Sequence, residues 1–509
     1  MPVRIQLQLG LAILLLSICS RMTCAEVFID QSHDAQSLLA ELNQQVQSGQ
    51  WNQATYLADE LLTKYVDDLV AIQPYRYVPV VKVLQNMAGR STDLRQLLRA
   101  RDAAQAMAEL DAADSDPILL EQVACRYGWT EAGRRAGLHA AGLYLERAEF
   151  SRAVQVLDVV IKVPGSEDDA TQAHELAATA AVYTGDMAAL RERVLRLRDR
   201  SAVDELASLK RLAQSVKRPV DPKPRSHVGL RLTFDEPSGK KTQREVLRCL
   251  TDSHGTVRWA VRPRELNPPW RNAHWAGRPM LVGDRAYIPV KVIGAANLTQ
   301  VIVASLNVHD GSLVWARRIY SRSVQRRSKL DETGLCDLTE HDGAIYACVD
   351  GAALCRLSPR LGRVQWITLR PAETAEPADQ AISPWIRQRI AAVEAGLVMI
   401  QPGQKIMVFD PQDGQVIRRL DADLWRHPQH LRVMGDGVMA FGDRIVRIDG
   451  RTLEPTWISP EPFDPRSFDD KPDSHQDIGP RRTRSLRDSV GGRIHSSPLD
   501  TRIPDRRVR

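Results

Sequence analysis

The 509-residue chain lacks several things that would have named a chemistry at once. After its first segment it has no apolar run of about 18 residues, which excludes an internal membrane-spanning helix. Lysine is scarce, 12 of the 69 basic residues, and a formal charge of +6 is spread over the whole length. That is no electrostatic footprint of a nucleic-acid binder. The seven cysteines contain no Cys-x-x-Cys spacing, which excludes zinc ribbons, thioredoxin-type redox sites and covalent c-type haem. Glycine-rich phosphate loops and Gly-x-Ser-x-Gly elbows are absent as well. What remains is an ordinary core-forming mixture, 43% hydrophobic and 26% charged, incompatible with a wholly disordered chain.

The first 25 residues read as an address. Arg4 supplies a positive charge, Leu7–Cys19 is mostly apolar, and Thr23-Cys24-Ala25 supplies small residues. This order predicts a secretory signal peptide over 1–25, cleaved after Ala25. The alternative, lipid attachment at Cys19, would place the bulky Ile18 where that processing wants a small residue. Export leaves five cysteines, Cys125, Cys249, Cys336, Cys348 and Cys355, too few and of odd number for a disulfide framework. Cys348 and Cys355 fall diagonally on neighbouring predicted strands, a placement that does not favour a bridge.

Residues 26–217 carry a helical pattern. Ala, Leu, Glu, Gln and Arg dominate, and apolar residues recur three and four apart, as at Leu38, Leu39, Leu42 and Val46. Three stretches look alike: Gly49–Ala54, Ala148–Ala153 and Gly185–Leu190. Each joins a helix break to a large apolar residue two positions on and a small or apolar residue three beyond it, a unit that closes a helical hairpin. These stretches resemble the turn of tetratricopeptide repeats, the middle copy adding Ala141, Tyr144, Leu157 and Pro164. The other copies keep fewer positions, Pro74 to Gly89 interrupts the register, and a generic helical bundle is the alternative. The resemblance implies a groove that holds a partner segment.

Past Lys217 the composition switches. Pro219, Pro222 and Pro224 make a stiff linker over 218–227. Over 228–460, short strands rich in Val, Ile, Leu, Tyr and Trp alternate with Gly and Asp turns, which predicts an all-β domain. Tryptophan recurs at Trp259, Trp315, Trp366 and Trp457, each four residues after Gly255, Gly311, Gly362 and Leu453. A further copy keeps Gly414 but has Arg418 in the tryptophan position. Including it, the spacings are 56, 51, 52 and 39 residues, periods that fit one four-stranded propeller blade per repeat. Glycine permits a positive φ in the turn, and Asn307, Asp410 or Asp449 can bond turn amides.

The copies at 255–259, 311–315 and 362–366 resemble the tryptophan-docking motif of propellers of the pyrroloquinoline-quinone (PQQ) repeat type. Arg356 and Arg447 depart from it where the motif favours alanine. The fold class expected is therefore an α-helical, tetratricopeptide-like repeat domain followed by a partial PQQ-like β-propeller. Five copies fit, whereas members of that family commonly close with seven or eight blades. Beyond them, 461–509 reads as a disordered tail: from Phe463 on it has 11 basic and 8 acidic residues and no strand alternation.

The PQQ-repeat family includes quinoprotein dehydrogenases and non-catalytic scaffolds. The enzymes resemble one another in an adjacent Cys-Cys pair near the quinone, and no such pair occurs here. No catalytic, cofactor-binding or metal residue is therefore assigned. The leading reading is an exported, non-catalytic scaffold of the cell envelope that binds proteins or peptides, by resemblance akin to propellers that scaffold outer-membrane protein assembly; the alternative is a periplasmic PQQ- or calcium-dependent oxidoreductase. Among lesser clusters, His427 and His430 read as a solvated loop, and His254, His274, His309 and His341 as turn or solvent residues. Arg317, Arg318, Arg322, Arg326, Arg327 and Lys329 read as a basic inter-strand loop, and Trp270 and Trp275 as blade packing.

Overall fold

The computed structural model describes residues 27–163, 165–184, 190, 193–194, 230–234, 246–251, 255–294, 298–323, 334–369, 389–393, 396–400, 406–420 and 430–462. The expected signal peptide, the 218–227 linker, nearly all of the tail, and His254, His427, Arg326, Arg327 and Lys329 lie outside them.

The first half is helical: α1 (His33–Gln47), α2 (Trp51–Lys64), α3 (Val80–Arg90), α4 (Thr92–Ala113), α5 (Pro117–Tyr127), α6 (Glu131–Glu146), α7 (Phe150–Lys162) and α8 (Glu167–Thr184). Side-chain caps mark the starts. Ser32, Ser91 and Thr130 accept the amides of Ala35, Leu94 and Gly133 at 3.0–3.2 Å, which satisfies orphan N–H groups of the first turn. The middle copy of the hairpin unit is the contact between α6 and α7. Ala141, Tyr144, Ala153 and Leu157 are all fully buried in one core. Gly137 lets the helices approach, since a Cβ there would lie 2.6 Å from Val160 Cγ2. The break before α2 uses Gly49 at φ 71°, whereas the break before α7 places Ala148 at φ 57°, a strained position for a residue with a Cβ. The third copy, from 185 to 189, lies outside the described residues.

The second half forms a partial propeller of five antiparallel sheets in chain order. Blade 1 holds β4 (Leu230–Phe234), β5 (Leu247–Thr251) and β6 (Val257–Val261). Blade 2 holds β7 (Ala273–Trp275), β8 (Met280–Val282), β9 (Arg285–Ile293), β10 (Leu298–Asn307) and β11 (Leu313–Ser323). Blade 3 comprises β12 (Cys336–His341), β13 (Ala344–Val349), β14 (Ala353–Leu357) and β15 (Val364–Leu369). Blade 4 comprises β16 (Ile390–Val393), β17 (Gly396–Ile400), β18 (Ile406–Phe409) and β19 (Val416–Leu420). Blade 5 comprises β20 (His430–Met434), β21 (Gly437–Phe441), β22 (Ile445–Asp449) and β23 (Pro455–Ile458).

The helical half also supplies strands. β1 (Val27–Phe28) pairs with β11. The segment that interrupts the helical register is a hairpin, β2 (Leu69–Gln73) and β3 (Arg76–Pro79), and β3 pairs with β15 through Tyr77↔Ile367 and Arg76↔Thr368. The outermost strands of blades 2 and 3 are thereby paired rather than left as open edges. Ion pairs fasten the same junction: Arg76–Asp413 at 3.3 Å, Arg363–Asp67 at 3.6 Å and Arg360–Glu149 at 3.7 Å. Burial, helped by the neighbouring positive charges of Lys162, Arg356 and Arg76, lowers the Lys82 pKa to about 7.

Two expectations change. Arg317, Arg318 and Arg322 stand on β11, not in a loop; the strand runs on to Ser323 because β10 pairs with it that far, and β1 flanks its far end. Arg317 donates to Gly362 O at 3.0 Å, and Arg318 pairs with Asp30. His430 is buried on β20 beside Phe441, with ring centroids 5.6 Å apart, so it lies in a sheet and not a solvated loop. The five cysteines are free thiols. Cys348 pairs across the ladder with Leu354 and Cys355 with Ala347, so alternation sends the two sulfurs to opposite faces. Burial raises the Cys348 thiol to about 12.

Candidate interaction surface

Every repeat builds one and the same turn between its last two strands. Gly255, Gly311, Gly362, Gly414 and Leu453 each donate an N–H to the carbonyl four residues earlier, at 2.8–3.0 Å. The residues that own those carbonyls donate back to Thr256, Ser312, Arg363, Gln415 and Glu454 at 2.8–3.0 Å. A register shift follows at the same place in all five sheets, a β-bulge that adds local twist. All five turn residues have φ between 61° and 74°. The side chains expected to brace the turns do so: Asn307 Oδ1 accepts from His309 N at 2.9 Å, Asp410 from Gln412 N at 2.7 Å and Asp449 from Thr452 N at 2.8 Å.

The tryptophan of each early repeat covers the turn of the next. Trp259 Nε1 donates to Val308 O at 2.8 Å, Trp315 to Pro359 O at 2.9 Å and Trp366 to Pro411 O at 3.3 Å. The accepting carbonyl always lies three residues before the turn glycine. A Cβ at Gly311, Gly362 or Gly414 would lie 2.8, 2.4 or 2.6 Å from an indole atom of Trp259, Trp315 or Trp366. Glycine is thus required twice over at these positions, for its backbone angle and for the ring above it. The structure therefore brings together Trp259 with Gly311, Trp315 with Gly362 and Trp366 with Gly414.

Other members of the joints carry no motif signature. Tyr287 and Tyr346 donate to the same carbonyls, Pro359 O and Pro411 O, at 3.2 and 3.1 Å. Each also packs on the indole of its own blade, with centroids 5.9 and 6.0 Å apart. Arg356, the departure from alanine, is buried and donates to Pro411 O, Gln412 O and Gln412 Oε1 at 2.8–3.2 Å. It reaches into the next blade and helps hold its turn.

The remaining positions stand apart. Gly255 has no atom within 4 Å of where its Cβ would be. At the fourth joint Arg418 donates to Thr452 O at 3.0 Å and pairs with Glu454 at 2.5 Å, while Leu453 fills the interior. Trp457 on blade 5 is 47% exposed, and Val433 and Met434 of the same blade and Val416 and Ile417 of blade 4 are exposed to similar degrees. Among the described residues, no group of three His, Cys, Asp or Glu side chains is placed to hold a metal, and no helix is long and apolar enough to cross a membrane.

Residues 243–426 match the PQQ-repeat family model described as outer membrane protein assembly factor BamB. A comparison with curated proteins finds no match. Among solved structures the chain is similar to BamB from Moraxella catarrhalis, at 14% identity and a TM-score of 0.30, covering 47% of this chain and 62% of that one. It is also similar to Saccharomyces cerevisiae Sqt1, at 8% identity and a TM-score of 0.27, covering 45% and 70%. A third is the quinohemoprotein alcohol dehydrogenase ADHIIG from Pseudomonas putida HK5, at 15% identity and a TM-score of 0.25, covering 38% and 35%. The chain thus spans about three-fifths of the length of the BamB structure it matches. The stretch that matches this family model runs from blade 1 to the end of blade 4 of the partial propeller.

Proposed function

We propose that the chain is an exported, non-catalytic scaffold of the cell envelope, whose propeller and helical repeats bind envelope proteins or peptides. The observation that carries this reading is the match of residues 243–426 to the assembly-factor model. The charge, short apolar run and small residues within 1–25 support export. In this reading the glycines and tryptophans of the repeats are structural and no quinone or metal is held. Nucleic acid is not a ligand, and membrane association requires lipid at Cys19.

The reading is tested with the full-length protein in its native host. The expected result is recovery in the envelope fraction, with the amino terminus at Glu26 and with an outer-membrane assembly component bound. Purified protein supplied with PQQ and calcium is expected to reduce no dye. Retention in the cytoplasm, or turnover on reconstitution with PQQ, would overturn it.

A further inference from the structure

The inner joints define, within this molecule, what covers an indole. In blade 3 the cross-strand row Thr339, Tyr346, Arg356 and Trp366 faces blade 4. Tyr346 and Trp366 share a core there with Leu397, Met399, Met407 and Phe409. The corresponding row in blade 5 is Arg432, Met439, Arg447 and Trp457, in register across β20 to β23. The opposite face of blade 5, carrying Val438, Ala440, Val446 and Ile448, packs on blade 4. The row with Trp457 therefore looks away from it. Arg447 pairs with Asp436 of its own blade at 3.0 Å, whereas Arg356, its counterpart, reaches the next blade. Among the described residues, no carbonyl accepts from the Trp457 indole.

We propose that this face of blade 5 receives a propeller-type strand–turn–strand from another polypeptide, with a left-handed glycine lying over the Trp457 ring and the carbonyl three residues earlier accepting its N–H. The proposal rests on the reading of the chain as an interaction module and names one of its surfaces. It continues the three joints in which an indole covers the turn of the next blade, and in those the complementary element is an Asn-, Ser- or Asp-led turn with glycine in its fifth position, Gly311, Gly362 or Gly414. Charge narrows the occupant. Arg432 and Arg447 make the face basic, and the Gly255 turn of a second copy would bring Arg231 and Arg248. Those two arginines stand at the ladder positions that Leu397 and Met407 hold in blade 4. Opposed like charges disfavour such a contact, so the turn of the partner carries neutral or acidic residues there.

The test places a photo-reactive phenylalanine analogue at position 434, in place of the exposed Met434, in the full-length protein within its native envelope. The expected product is a cross-linked peptide from a different polypeptide that contains a strand, an Asn-, Asp- or Ser-x-x-x-Gly turn and a second strand. Trp457→Ala is expected to lower the yield at least tenfold while leaving the melting temperature unchanged, because that indole is half exposed. Cross-links to residues 463–509, to a second copy or to lipid alone would overturn the proposal, as would no cross-link at all. If envelope partners are recovered while position 434 stays silent, this inference falls and the broader functional reading stands. If no envelope partner is recovered, the broader reading falls first.

Discussion

The first three joints of the propeller and the fourth solve one problem with different residues. In the first three, an indole lies on a glycine and donates to the next turn. In the fourth, Arg418 replaces the indole, Leu453 replaces the glycine, and Leu453 adopts φ 61°. The exchange is coupled by space. A Cβ beneath an indole would come within 2.4–2.8 Å of it at the inner joints, so leucine can stand in the turn only where the ring is gone. The flat ring is replaced by an aliphatic side chain, 5% exposed in the core of blades 4 and 5, and a guanidinium takes over as donor to the turn. A left-handed leucine costs about 1–3 kcal/mol, and burying its side chain offsets a comparable amount. The joint therefore requires a covered turn and a donor, and tryptophan is one way of supplying both.

The comparison breaks most strongly at Trp366, which is fully buried between blades 3 and 4. Trp366→Ala is expected to destabilise by roughly 3–5 kcal/mol, measured by urea unfolding, and to leave the Pro411 carbonyl with Tyr346 and Arg356 as its remaining donors. Gly362→Ala is expected to cost about 3 kcal/mol by the same measurement, combining backbone strain at positive φ with overpacking against Trp315. A loss below 1 kcal/mol at Gly362 would mean that the ring does not rest on the turn.

The wedge and its socket were legible in the sequence because both residue types are demanded by geometry and recur together: Trp259, Trp315 and Trp366 with the glycines four residues before them. Their partners across the joint were not. Tyr287, Tyr346 and Arg356 act on carbonyls 55 to 72 residues away, and strand alternation says which face a side chain takes but not what the next blade places against it. The hairpin of β2 and β3 was visible only as a break in helical register. Its aromatic and β-branched residues around Pro74-Tyr75 carry a strand signal, yet nothing local shows that the sheet it joins begins more than 250 residues later. Trp457 shows the limit from the other side: it carries the motif position of a wedge and stands exposed, because exposure depends on a neighbour and not on the motif.

The coupled exchange at the fourth joint can be reversed. Arg418→Trp alone is expected to destabilise, since the ring would meet Leu453, and Leu453→Gly alone is expected to leave a void in the core of blades 4 and 5. Together they rebuild the joint seen three times earlier in the chain. The expected coupling energy is about 2 kcal/mol in favour of the double variant, from a double-mutant cycle on unfolding free energies. Additive effects would mean that the two positions changed independently and that space does not link them.

The smallest effect isolates the backbone from the ring. Gly255 shares the hydrogen bonds and the positive φ of the other turns, yet has open space where a Cβ would go. Gly255→Ala therefore meets the angular penalty without the steric one. It is expected to cost about 1 kcal/mol, well short of Gly362→Ala, and the difference measures what the overlying indole adds. If the two variants lose the same stability, conformation alone selects glycine at these turns, and the contact with tryptophan follows from the glycine instead of requiring it.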